Sequence, residues 1–126
     1  MKKVITSKNA PAPIGPYSHA VLFGNMLFVS GQVGKHPATG ELMLGDIKTE
    51  TKQVMENVKG ILADAGMDTS NIVKTTIFMK DMNNFAAMNE VYGAFFTDNY
   101  PARETVQVSR LPLDVNVEIS VIAIKS

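Results

Sequence analysis

Apolar and polar positions change their spacing several times along the chain, and each change marks an element. Over residues 19–30 two apolar runs flank Gly24-Asn25, and this predicts a β-hairpin. Residues 34–45 are rich in Gly, Pro and Thr and read as loop. Asp46 then stands where a helix N-cap is wanted. Ile47, Val54, Val58, Ile61, Leu62 and Ala65 follow at helical spacing until Gly66 supplies the stop. Residues 71–80 alternate, with Ile72, Thr76 and Phe78 on one face and Val73, Thr75, Ile77 and Met79 on the other, so a strand with two largely apolar faces is expected. A second helix starts near Asn83, carries Phe85, Met88, Tyr92, Phe95 and Phe96 on its apolar side, and must end before Pro101. Residues 103–109 and 115–124 read as two further strands, joined by the turn-like Arg110-Leu111-Pro112-Leu113-Asp114.

The order strands, helix, strand, helix, strands fits an α+β domain spanning residues 1–126, with two helices against one face of a mixed sheet. The other face then needs a cover. Three copies turning those faces inward would make a barrel-like core, so a homotrimer is expected. Ahead of the hairpin, Ala10-Pro11-Ala12-Pro13-Ile14-Gly15-Pro16 imposes an extended approach that delivers Tyr17, Ser18 and His19 to the first long strand.

Composition narrows the function. The 126 residues suit one domain, and 45% hydrophobic against 19% charged residues suits a globular chain. Twelve Lys plus Arg balance twelve Asp plus Glu, leaving no net field to draw the chain to nucleic acid or an anionic membrane. Cysteine is absent, which removes disulfides, thiolate metal sites and cysteine nucleophiles. No apolar h-region follows Lys2-Lys3, and no stretch is fit to cross a bilayer, so the cytoplasm is the expected compartment. His19 and His36 lack clustered companions and suggest no metal; His36 reads as a loop residue and His19 as a strand-edge one. The eight Met residues read as core filler. Ser18 or Ser30 in a catalytic triad would lack the usual sharp nucleophile turn.

Chemistry concentrates in the last two strands. Arg103, Thr105 and Gln107 form a polar face opposite Val106 and Val108, and Glu118 interrupts the apolar row Val115, Val117, Ile119 and Val121. A carboxylate there is costly unless paired or useful. Pattern alone favours a structural Arg–Glu salt bridge or a solvated strand face. The functional alternative is a carboxylate clamp with an acid/base, for which a planar guanidinium and a partly buried glutamate are suited.

Several separated motifs, in order, resemble the RidA/YjgF family: Pro101-Ala102-Arg103, Arg110-Leu111-Pro112, Val117-Glu118-Ile119, the run 12–18, Val29-Ser30-Gly31-Gln32 and the run 85–92. The resemblance covers nearly the whole chain. It implies a chorismate-mutase-like α+β fold, a trimer with sites in the clefts between subunits, and cofactor-free hydrolysis of 2-imino and enamine acids to 2-keto acids and ammonia. It further implies that Arg103 holds the substrate carboxylate with the backbone at Thr105, that Glu118 positions water, and that Tyr17, Ser30, Gly31 and Asn89 line the pocket. Each of these four has a plainer reading as surface aromatic, strand-end turn, glycine of unusual backbone angle, or locally bonded amide. Glu104 and Thr105 depart from the family pattern, the first adding charge near the clamp and the second standing where many members carry cysteine. Two other activities stay open: a regulatory protein that binds keto or carboxylic acids without turnover, and a ribonuclease or translation inhibitor, which the neutral charge disfavours.

Overall fold

The computed structural model describes residues 1–126. Six strands, β1 (Lys2–Ile5), β2 (Ala20–Phe23), β3 (Met26–Gln32), β4 (Ile72–Met79), β5 (Ala102–Gln107) and β6 (Val117–Ile124), form one sheet in the order β1-β2-β3-β6-β4-β5. All neighbours are antiparallel except β4 and β5, so the sheet is mixed as expected. Two helices, α1 (Ile47–Asp64) and α2 (Phe85–Gly93), complete the α+β fold.

Local chemistry explains the boundaries. The Asp46 carboxylate accepts from Thr49 N at 2.8 Å and caps α1, satisfying an amide that the first helical turn leaves free. Gly66 follows the helix at φ +74°, a left-handed angle that glycine takes without cost from a Cβ. Gly24 turns the β2–β3 hairpin at φ +62°. Pro112–Asp114 form a short 3-10 turn before β6, in which Leu113 (φ 61°) and Asp114 (φ 53°) are left-handed without being glycine.

The core lies between the helices and one sheet face. Val54, Met55, Val58, Ile61 and Leu62 of α1 are fully buried against Leu27, Ile77, Met79, Ile119 and Ala123. Full burial of each of these Val, Leu, Ile and Met side chains is worth about 1.5–3 kcal/mol. The opposite face carries Phe28, Phe78, Val106 and Ile122, of which Phe28 is 42% and Val106 44% exposed. No helix is long and apolar enough to cross a membrane.

Two details differ from the sequence reading. Lys2–Ile5 is an edge strand on β2, concealed in the sequence by two charges that suit an edge. Ile72 does not share a face with Thr76 and Phe78. The ladder with β6 skips between Ile72 and Lys74, and this bulge carries Ile72 into the core.

Candidate active site in two halves

Register fixes where the chemistry points. In the parallel pair, Arg103 stands opposite Thr75; in the antiparallel pair, Glu118 stands opposite Phe78. Thr75 is wholly buried under α2, with its hydroxyl accepting from Tyr92 OH at 2.9 Å, whereas Phe78 belongs to the helix-free face. Arg103 and Glu118 therefore project from opposite faces of one sheet. The structural salt bridge favoured by pattern is overturned, since Arg103 pairs with no carboxylate.

On the helix face, Arg103 is held by three side chains of α2. Its Nη1 donates to Asn89 Oδ1 at 2.7 Å, and its guanidinium carbon lies 5.6 Å from the Phe85 ring centre and 5.2 Å from that of Tyr92. Aromatic faces attract the cation and fix its plane while leaving further N–H groups to donate. Asn89 thus serves the arginine and not merely its own helix. Arg103, Asn89, Tyr92, Gly93, Tyr100 and Pro101 line one shallow cleft. Thr105, two residues along the same face, keeps its hydroxyl buried without a hydrogen-bond partner.

On the helix-free face, Glu118 lines a second cleft of about 350 Å³ with Tyr17, Ser30, Gly31, Ile14 and Leu113 among its walls. Glu118 accepts no side-chain partner, and burial raises its carboxyl above the ordinary carboxylate range. Gly31 is glycine for space, not for backbone angle. A Cβ there would meet Glu118 Oε2 at 2.6 Å, and Gly31 is absent from the positive-φ glycines. The Ser30 hydroxyl donates to Ser18 O at 2.6 Å, tying the proline-rich approach to β3, while Tyr17 is half exposed beside the cleft.

His19 stands just before β2, its carbonyl accepting from Ser30 N at 3.0 Å, but its ring turns inward. It is buried, its Nδ1 accepts from Ser7 N at 3.0 Å, and its Nε2 donates to Pro11 O at 2.6 Å. Ser7 N can only donate and Pro11 O can only accept, so this pair of partners selects the tautomer with its proton on Nε2. This clamp fixes the segment that supplies Pro11, Ala12, Ile14 and Tyr17 to the Glu118 cleft. Sequence spacing gave no sign of it, because both partners are backbone atoms. Glu104 turns to the helix-free face, accepting from Thr76 Oγ1 at 2.8 Å and pairing with Lys74 at 3.2 Å, so its charge does not enter the Arg103 cleft.

The seven residues singled out in the sequence thus fall into two sets, Arg103, Asn89 and Thr105 on one face and Glu118, Tyr17, Ser30 and Gly31 on the other. Comparison with known proteins gives consistent matches over this whole frame. The family model described as Endoribonuclease L-PSP matches residues 7–125. A RutC family protein of Pyrococcus horikoshii is 54% identical over 125 residues, covering 99% of each chain. The 2-iminobutanoate/2-iminopropanoate deaminase of Escherichia coli is 48% identical over 128 residues, covering 99% of each. Among solved structures, E. coli TdcF with bound serine superposes with a TM-score of 0.95 at 45% identity, over 98% of this chain and 99% of that one. On these matches and on the motifs shared along its length, the chain belongs to the RidA/YjgF family.

Proposed function

We propose that the chain is a cytoplasmic, cofactor-free hydrolase that converts small 2-imino acids to 2-keto acids and ammonia. We assign the working site to the junction of two subunits in a homotrimer, with Arg103 from one and Glu118 from the next. The observation that carries this is the split itself. One cleft holds an oriented cation with unspent donors, and the other holds a half-buried carboxyl with no partner; neither alone both anchors an anion and delivers a proton acceptor. Bringing the bare apolar sheet faces together would bury Phe28, Val106 and their neighbours, and because β5 is an edge strand of the sheet, its Arg103 stands where a neighbouring chain's Glu118 cleft can reach it. The deaminase named among the relatives supports the reaction class.

In the joined site the guanidinium of Arg103 takes the substrate carboxylate through paired N–H donors, which fixes the imine carbon. Glu118 accepts a proton from water as the water oxygen bonds to that carbon, and hands the same proton to the imine nitrogen, giving a carbinolamine. Glu118 then takes the proton of the new hydroxyl and passes it to that nitrogen, so the C–N bond breaks as the C=O bond forms, ammonia departs, and Glu118 is left ionised as at the start. The carboxyl must be ionised to take each proton and protonated to hand it on, and burial raises it above the ordinary carboxylate range, which makes it the stronger base.

Decay of 2-iminopropanoate generated in solution tests the reading. Wild-type acceleration that disappears in Arg103→Ala and in Glu118→Gln supports it. Decay no faster than in buffer, with a keto acid still bound at Arg103, would establish a binding protein instead.

A further inference from the structure

A second glutamate braces the chain just ahead of the first. Glu50, in the first turn of α1, is fully buried, and both its carboxyl oxygens are occupied. Oε2 accepts from Asn116 N at 2.8 Å and Val117 N at 3.2 Å, and Oε1 accepts from Asn116 Nδ2 at 2.7 Å. These are the two residues immediately before Glu118, where the backbone leaves its left-handed turn and enters β6. Two backbone amides that the sheet ladder leaves unpaired at this entry are thereby satisfied from the helix. Gly34 makes room for the arrangement, since a Cβ there would lie 2.8 Å from Glu50 Cγ.

Packing alone does not call for a carboxyl here. An apolar side chain would fill the volume, and burying an acid without an ionic partner is unfavourable unless its oxygens are fully bonded. What the carboxyl adds is direction: one rigid acceptor sets the height and twist of the strand that presents Glu118. We propose that Glu50 is a positioning residue for hydrolysis, holding the entry of β6 so that Glu118 meets the water at the angle attack requires. This rests on the assignment of Glu118 above.

The test compares three variants in the oligomeric protein, each checked for assembly and melting. Glu50→Asp keeps the charge but shortens the arm by one carbon. Glu50→Met keeps the volume without acceptors. Glu50→Gln can still serve both amides through its carbonyl, while its NH2 meets an Asn116 side chain turned to offer oxygen. With 2-iminopropanoate, kcat per folded site is expected to fall about tenfold to a hundredfold in the first two, since small misplacements have such effects, with KM within about twofold of wild type. Glu50→Gln is expected to recover most of kcat. Activity that tracks only the folded fraction, with kcat per folded site unchanged in Glu50→Asp and Glu50→Met, overturns the proposal. If Glu50→Met does not assemble, the contrast between the Asp and Gln variants decides alone. Absence of activity in the wild-type protein would count against the hydrolase assignment, whereas wild-type activity lost in Glu118→Gln and untouched by Glu50→Asp would count against Glu50 only.

Discussion

Arg103 donates to Asn89 at 2.7 Å with its guanidinium carbon 5.6 Å from the Phe85 ring centre and 5.2 Å from that of Tyr92, so three side chains of α2 surround a guanidinium that β5 bears. Replacing Asn89 by Ala frees one N–H and loosens the plane without removing the charge. The expected result is a rise in KM for a 2-imino acid of about tenfold, the scale of one charge-assisted hydrogen bond, with kcat less affected. Steady-state kinetics check this. Arg103→Lys should lose more than Asn89→Ala, because an ammonium cannot offer a planar fork or stack in the same way.

Gly31 and Glu118 leave no space for a methyl group between them. Gly31→Ala would place a Cβ at 2.6 Å from Oε2, closer than real Cβ contacts allow, so the carboxyl must turn away. A loss of activity far larger than the loss of stability is expected. Comparing kcat/KM with the melting temperature separates the two, and an active Gly31→Ala would remove Glu118 from its assigned position.

Most of the fold is visible in the sequence because burial imposes a period. The α1 stripe, the hairpin at Gly24 and the alternation of β4 were each readable for that reason. The bulge that turns Ile72 inward was not, since it depends on the ladder with β6 and leaves no mark in β4 itself. The site shows the same division. Spacing and family likeness pick out Arg103 and Glu118, but parity along separate strands does not tell which face each strand presents until the β4–β5 and β4–β6 registers are known. Glu50 and His19 were missed as parts of the scaffold because their partners are backbone amides and carbonyls distant in sequence.

Burial raises the pKa of Glu118 above the ordinary value of a carboxyl. In the role of proton acceptor proposed for it, it would work only when ionised, so kcat/KM should climb with pH through an ascending limb above about 4.3, the unperturbed glutamate value. Glu118→Gln should lose that limb along with the rate. Linkage has the opposite sign for stability. Between the unfolded and the raised folded pKa the native chain holds a proton that the unfolded chain has released, so stability contributed at low pH declines as pH rises through that window. Glu118→Gln should therefore melt higher than wild type at neutral pH and no higher below the unfolded pKa, which calorimetry across pH would check.

His19 joins Ser7 N to Pro11 O through the two nitrogens of one ring. His19→Ala would strand a buried donor and a partly buried acceptor, at a cost of about 1–3 kcal/mol. A Gln there has an amide oxygen and nitrogen able to repeat the acceptor and donor, so His19→Gln should retain most of that stability. Denaturant unfolding of both variants measures the difference. Equal loss in the two would mean that ring packing, not the paired hydrogen bonds, secures the segment.

Because Arg103 and Glu118 leave opposite faces of one sheet, a site built from both has to draw on two chains. That arrangement makes a specific demand on mixtures. Arg103→Ala and Glu118→Gln oligomers should each be inactive. Unfolded together in equal amounts and refolded, they should recover activity, because an interface with its arginine from a Glu118→Gln chain and its glutamate from an Arg103→Ala chain carries both native groups. Random assembly into a closed ring places the required pair at about one interface in four, so about a quarter of wild-type activity is expected. A site completed within one chain would recover nothing at any mixing ratio, and the assay of the refolded mixture against the two separate variants distinguishes these cases.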